Sequence, residues 1–159
     1  MIKKIFSVGV SFIIMAGCRT NSLPYYNSPD FTPIWNTDTL QQPLHVIPAF
    51  AFTNQRNQPV TGNTFNNTVY VAGFFFTSCG VVCPKLTTNL LKVQQALRNT
   101  QKVAFLLHSV TPWIDSVPRL QAYAQRYHLN DQWQLVTGNQ AAIYQLARKA
   151  YFAEEEPGF

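Results

Sequence analysis

The sequence predicts an α/β domain with a parallel sheet and helices on its faces, and three observations predict it. Two apolar runs, VYVAGFFF at 69–76 and KVAFLLH at 102–108, have the composition of strands buried on both faces. Each is followed by a segment with a proline suited to a first helical turn and apolar residues returning every three or four positions. The order that results, strand then helix three times over, implies right-handed crossovers between parallel strands.

Taken in order, the elements begin with HVIPAFAFTNQRNQPVTGNTF. It alternates at Phe50 and Phe52, turns through Asn54 to Gln58 and resumes at Val60, as a short hairpin leading into the domain. Val69 to Phe76 is apolar throughout and bounded by polar residues, which predicts a strand central in its sheet. Pro84 opens a helix whose apolar face is marked by Leu86, Leu90, Val93 and Leu97. Lys102 to His108 is a second buried strand. Asp115 or Ser116 then caps a helix with Pro118 in its first turn and Val117, Leu120, Tyr123 and Tyr127 on its buried side. Trp133 to Val136 is a third, shorter strand, and Asn139 caps a helix carrying Ile143, Leu146 and Ala150. No internal repeat interrupts this order, and Glu154 to Glu156 read as a solvated acidic tail.

The bulk numbers agree with one domain plus tails. In 159 residues, 47% apolar and 14% aromatic content supports a packed core and excludes global disorder. Lys+Arg 12 against Asp+Glu 7 gives +5, and setting aside Lys3 and Lys4 leaves +3. That charge is spread without a basic stripe, so no nucleic-acid partner is expected.

Lys3 and Lys4, an apolar run from Ile5 to Met15 and small residues before Cys18 read as an export signal. The run is shorter than the roughly 20 residues that span a bilayer. Met15-Ala16-Gly17-Cys18 resembles the lipobox of bacterial lipoproteins, which implies cleavage before Cys18 and lipidation of its sulfur. The expected organisation is therefore a lipoprotein signal at 1–18, a tether at 19–44 and the folded domain at 45–159. The expected location is the bacterial cell envelope, as a membrane-anchored lipoprotein facing the periplasm or the exterior. The tether carries Pro24, Pro29, Pro33 and Pro43 and, as a flexible coil, would reach about 30 Å. Its aromatic residues Tyr25, Tyr26, Phe31 and Trp35 predict that part of it packs back on the domain.

With Cys18 assigned to the anchor, Cys79 and Cys83 remain. In open α/β sheets ligands gather beyond the carboxyl ends of strands, and Cys79 lies three residues past one such end. Cys83 precedes Pro84 and is expected to cap the helix, so both thiols would meet the positive end of its dipole and ionise readily. Three roles stay open. An oxidising compartment would hold the pair as a disulfide unless a reductant or a metal intervened, although so small a loop stabilises little. A thiol exchange couple would use Cys79 to attack and Cys83 to resolve. As ligands, two thiolates with one imidazole suit copper, Cu(I) above all, whereas structural zinc would want four ligands and no second cysteine pair exists. His108, at the end of the second strand and so at the same rim, is the candidate imidazole. His45 and His128 are not expected to be ligands, and Ser78, Ser109 and Asp115 lack a histidine at a spacing that argues for a triad.

VYVAGFFFTSCGVVCPKLTTNLLKVQQAL resembles the Sco (SenC) family of membrane-tethered copper proteins, whose hallmark is a strand, then Cys-x3-Cys-Pro, then a helix. HSVTPWIDSVPRLQAYAQRYHL is similar to that family's next strand, its Ser-Val-x-Pro turn, an aspartate matched by Asp115 and the helix after it. HVIPAFAFTNQ is similar to its leading segment, so the likeness runs from about His45 to Phe152. The resemblance implies a thioredoxin-like three-layer sandwich preceded by the hairpin. It also implies copper, as Cu(I) or Cu(II), on Cys79 and Cys83, and delivery to the copper-centre subunit of cytochrome c oxidase or to another copper or thiol protein. Some relatives act chiefly as thiol-disulfide reductants. Two departures stand out. Gly80-Val81 occupies the place where many relatives have Pro-Asp, and the family's third ligand, a histidine followed by the last strands and a final helix, matches no residue of this chain. The domain is therefore expected to be C-terminally truncated. Three functions follow as expectations: a copper chaperone, a thiol-disulfide oxidoreductase, or an inactive fragment with an exposed apolar sheet edge.

Overall fold

The computed structural model describes residues 23–35, 43–99 and 103–153. The signal with Cys18, part of the tether, Lys102 and the Glu154 to Glu156 tail lie outside the described residues. Seven strands and three α-helices are present in those segments: β1 (Tyr25–Tyr26), β2 (Pro33–Ile34), β3 (Ala51–Asn54), β4 (Pro59–Thr61), β5 (Val69–Phe75), α1 (Val82–Ala96), β6 (Val103–Ser109), α2 (Val117–Arg126), β7 (Trp133–Thr137) and α3 (Gln140–Lys149).

The main sheet runs β4-β3-β7-β6-β5, with β5, β6 and β7 parallel and the β3/β4 hairpin added antiparallel to β7. Alternation along each strand divides the core into two layers. Phe75, Phe105, Leu107 and Leu135 pack with Leu120 and Tyr123 of α2 and Cys83 of α1 on one face. Phe52, Leu106 and Val136 pack with Ile143 and Leu146 of α3 on the other. Helices thus cover both faces, as a three-layer sandwich requires. Trp133, fully buried, stacks on Phe105 with ring centroids 4.5 Å apart and donates its indole N–H to Gln94 of α1 at 3.2 Å.

Three expectations need correction. Among the described residues β5 is an edge strand, paired with β6 alone, and Val69 is 71% exposed. An apolar run reports what its faces meet but not its rank in the sheet, which non-local pairing decides. The buried side of α1 carries Cys83 and Thr87, with Leu90 and Leu91 packed beside them, while Val93 and Leu97 are exposed. Polar residues on that side find internal partners, Thr87 with the Tyr123 hydroxyl at 2.8 Å and Gln94 with Trp133, so the helix turns a less apolar stripe inward than its leucines suggest. Finally, the cap of α1 is Val81 and not Cys83, which sits inside the first turn ahead of Pro84.

The hairpin belongs to the sheet itself. Gln55, buried, donates to the Trp133 carbonyl at 2.8 Å and accepts the Leu135 N–H at 2.9 Å, so a side-chain amide extends the ladder that β3 makes with β7. The two-stranded β1/β2 hairpin contacts the segment after α3 through Phe31, whose ring meets Phe152 edge-on at 6.2 Å.

Asn139 caps α3 as the sequence predicts, its side chain accepting the Ala142 N–H at 3.0 Å. Asn139→Ala leaves that donor without a side-chain partner, and the expected cost is about 1 kcal/mol in the urea unfolding free energy. A change of under ~0.3 kcal/mol would show the cap to be idle.

Candidate functional site

The carboxyl end of β5 runs into the loop Phe76 to Val81, and α1 begins immediately after it. Two fastenings shape this loop. The Cys79 N–H donates to the Phe76 carbonyl at 3.2 Å, a tight turn that places the sulfur over the helix start. Asp115, fully buried, accepts from the Thr77 N–H at 3.2 Å and from the hydroxyls of Thr77, Ser109 (2.6 Å) and Thr111 (3.1 Å). A carboxylate with four donors is well compensated for its burial, and it ties the cysteine loop to the loop that follows β6.

The structure brings the two cysteines together as free thiols, Cys79 half-exposed and Cys83 buried. The Cys79 sulfur accepts the Cys83 N–H at 3.3 Å, as an anion at the first turn of a helix does. That bond chiefly, then the Val81 N–H and the Cys83 thiol, lowers the Cys79 pKa to about 7. The partner goes the other way. Burial first, and then the neighbouring Cys79 and Asp115, push Cys83 up to about 11. The expectation that both sulfurs ionise readily therefore holds for Cys79 and is corrected for Cys83, whose place in the core outweighs the helix dipole.

His108 does not join them. It alternates with Leu107 along β6, and its neighbours are those of the α3 face, whereas Cys83 packs on the α1 and α2 face. Its ring is fully buried among Phe50, Phe52, Phe74 and Tyr151, with Nδ1 3.3 Å from the Gly73 carbonyl and Nε2 without a partner. Burial lowers its pKa to about 4. His45 contacts the Ala150 carbonyl through Nε2 at 2.9 Å, and His128 follows α2 in the left-handed region with φ 52°. Among the described residues no group of three or more His, Cys, Asp or Glu side chains converges as a metal site. Among the described residues, the soft donors at this end of the sheet are the two sulfurs.

Sequence reasoning placed Asp115 as a possible helix cap and missed its work as the bolt between the loops. The signal was present in the hydroxyls Thr77, Ser109 and Thr111, which flank two strand ends where Asp115 is the one carboxylate nearby in the sequence.

Comparison with known proteins agrees with this arrangement. The SCO1/SenC family model matches residues 38–157. The SCO1 protein homolog of Bacillus subtilis is 30% identical over 118 residues, which cover 72% of this chain and 61% of the relative, so the chain spans less than two thirds of that protein's length. Among solved structures, a SCO1/SenC family lipoprotein from Bacillus anthracis superposes with a TM-score of 0.63 at 32% identity, covering 71% of this chain and 70% of the other. BsSco, described as a member of the Sco family of cytochrome c oxidase assembly proteins with a disulfide switch, gives 0.62 at 30% identity over 70% and 68%. ScoI of Bradyrhizobium japonicum, solved with copper bound, shares the fold with a TM-score of 0.59 at 21% identity over 67% of each chain. The sheet and its three helices are the thioredoxin-like arrangement of these structures. On the family match and the shared fold, this chain belongs to the SCO1/SenC family.

Proposed function

We propose that the protein is a membrane-anchored copper chaperone of the Sco type, which takes Cu(I) on Cys79 and Cys83 and assists assembly of the copper centre of cytochrome c oxidase. The observation that carries this reading is the pair itself, an accessible sulfur of low pKa with a second thiol against it at the open end of the sheet. Two soft thiolates fit a soft monovalent cation far better than they fit a hard divalent one. Cys83 holds its proton tightly, so it would surrender it only in exchange for the cation and recover it on release. Acid would then favour unloading. Family membership and the copper-bound neighbour support the cargo, and the lipoprotein from Bacillus anthracis supports an anchor at Cys18 in the cell envelope.

Titrating the reduced protein with Cu(I) and recording copper X-ray absorption tests this directly. The expected spectrum shows two sulfur scatterers and no imidazole, because His108 faces the other layer. A spectrum free of copper-sulfur scattering would remove the proposal, and an imidazole contribution would mean that a histidine leaves the place it holds in this structure to reach the copper.

The separation of the two thiol pKa values also favours thiol-disulfide exchange. In that reading the Cys79 thiolate attacks a partner disulfide, and the departing partner sulfur takes the electron pair. Cys83 then attacks the Cys79 sulfur, so the pair ends oxidised as a disulfide while the partner gains two electrons and leaves as thiols. The disulfide switch named for BsSco supports the same chemistry in a relative.

A further inference from the structure

Beside the cysteine loop, α2 forms the wall of a hollow of about 260 Å³ lined by Thr77, Ser78, Arg119, Ala122, Tyr123 and Arg126. Ser78 precedes Cys79 in the chain, and Tyr123 packs in the same cluster as both cysteines. Arg119 and Arg126 lie seven residues apart, so two helical turns set their guanidinium groups on one face of α2. Neither has a carboxylate partner among the described residues. Asp115, the nearest acid in the chain, is buried and bound to four donors, and Asp131 stands at the amino end of β7 beside Arg56 at 3.7 Å. The only other described acid, Asp30, is held by Ser28 and Thr32 in the β1/β2 hairpin.

Apolar side chains complete the rim. Val81 and Val82, between the two cysteines, are 75% and 71% exposed, and Trp113, two residues from Asp115, is 63% exposed. Large apolar groups left in water around a reactive sulfur are the usual mark of a surface made for contact. Arg126 lies over the Tyr127 ring at 5.7 Å, and the two cations, without a carboxylate partner among the described residues, determine what fits there.

We propose that this rim is a docking surface for a partner protein that presents its own cysteine on an acidic segment, the carboxylates seating against Arg119 and Arg126 as the two sulfurs meet. The inference rests on the reading of Cys79 as the accessible nucleophilic or copper-bearing sulfur. Attraction between the guanidinium pair and the segment raises the encounter rate and orients the incoming sulfur, and salt weakens both effects.

The test uses two synthetic peptides that carry one cysteine as a mixed disulfide with thionitrobenzoate, flanked by glutamates in one and by glutamines in the other. The Cys79 thiolate attacks the peptide sulfur, the bond to thionitrobenzoate breaks, and the coloured thiolate leaves with the electron pair. The expected result is that the glutamate peptide reacts about tenfold faster than the glutamine peptide. That ratio should fall toward one in Arg119→Gln/Arg126→Gln and in the unaltered protein at high salt. A ratio of one in the unaltered protein at low salt, or a ratio that neither salt nor the double variant changes, overturns the docking surface. Neutral iodoacetamide separates the two layers of argument. Ordinary alkylation of Cys79 with no glutamate preference overturns the docking surface alone, whereas failure to alkylate Cys79 at neutral pH overturns the underlying reading and the docking surface with it.

Discussion

Replacing Cys79 with serine lowers the rate of iodoacetamide labelling at pH 7 by about a hundredfold or more, even though a second cysteine remains four residues away. The magnitude follows from the two pKa values. A thiol with a pKa of about 7 is half ionised at neutral pH, whereas one at about 11 is ionised roughly once in ten thousand molecules. The more basic thiolate is intrinsically the better nucleophile, which returns a factor of roughly sixty across four units of pKa. The remaining gap is about two orders of magnitude, and burial of Cys83 widens it. The main cause of the high Cys83 pKa is burial, which serine at position 79 leaves in place. Cys83→Ser gives the converse, a protein that still labels at Cys79 with a pH midpoint near neutrality, because the main support of the Cys79 thiolate is the backbone N–H of residue 83. Equal labelling of the two cysteines, or a Cys79 midpoint near 9, would remove the asymmetry on which both the copper and the exchange readings stand.

Much of this site was legible in the sequence, and the parts that were not share a cause. The strand, the Cys-x3-Cys-Pro spacing and the helix behind it are local features, and they stand where the pattern put them. Asn139 at a helix start and Pro118 in a first turn are legible for the same reason, since each acts within a few residues of itself. What failed depended on parity or on partners distant in the chain. His108 and Ser109 both end β6 at the cysteine rim, but one step along a strand reverses the face. Ser109 reaches Asp115 beneath the cysteine loop, while His108 turns to the α3 layer. The edge position of β5 depends on β3 joining β7, a pairing reinforced by Gln55 across about eighty residues. The high pKa of Cys83 depends on its burial in the cluster with Phe75, Leu120 and Tyr123, which the Cys-x3-Cys spacing does not encode.

His108, on the sheet face away from the cysteines, makes the fold sensitive to acid. With Nδ1 turned to the Gly73 carbonyl, the neutral tautomer carries its proton there, and Nε2 presents a lone pair to aromatic rings. A second proton would have no acceptor. The groups that face it are Phe50, Phe52 and Phe74 with Tyr151, whose hydroxyl is engaged by Tyr70 at 3.1 Å and whose own ionisation burial suppresses, so no carboxylate offsets the charge. The folded pKa of about 4 lies below the unfolded value of 6.5. Its contribution to stability is therefore complete above about pH 6.5, and declines as the pH falls from there to about 4, because the unfolded chain takes the proton first. The slope is about 1.4 kcal/mol per pH unit, or about 3 kcal/mol over the window. The other ionisable groups are common to both proteins, so the measurement is a difference: urea unfolding free energies of the unaltered protein and His108→Leu from pH 7.5 to 4. Leucine fills a similar volume without a titrating atom, and the two curves should converge toward the variant's favour by about 3 kcal/mol as the pH falls. Parallel curves would mean that a water or a shifted ring satisfies Nε2 and that the aromatic enclosure is not dry.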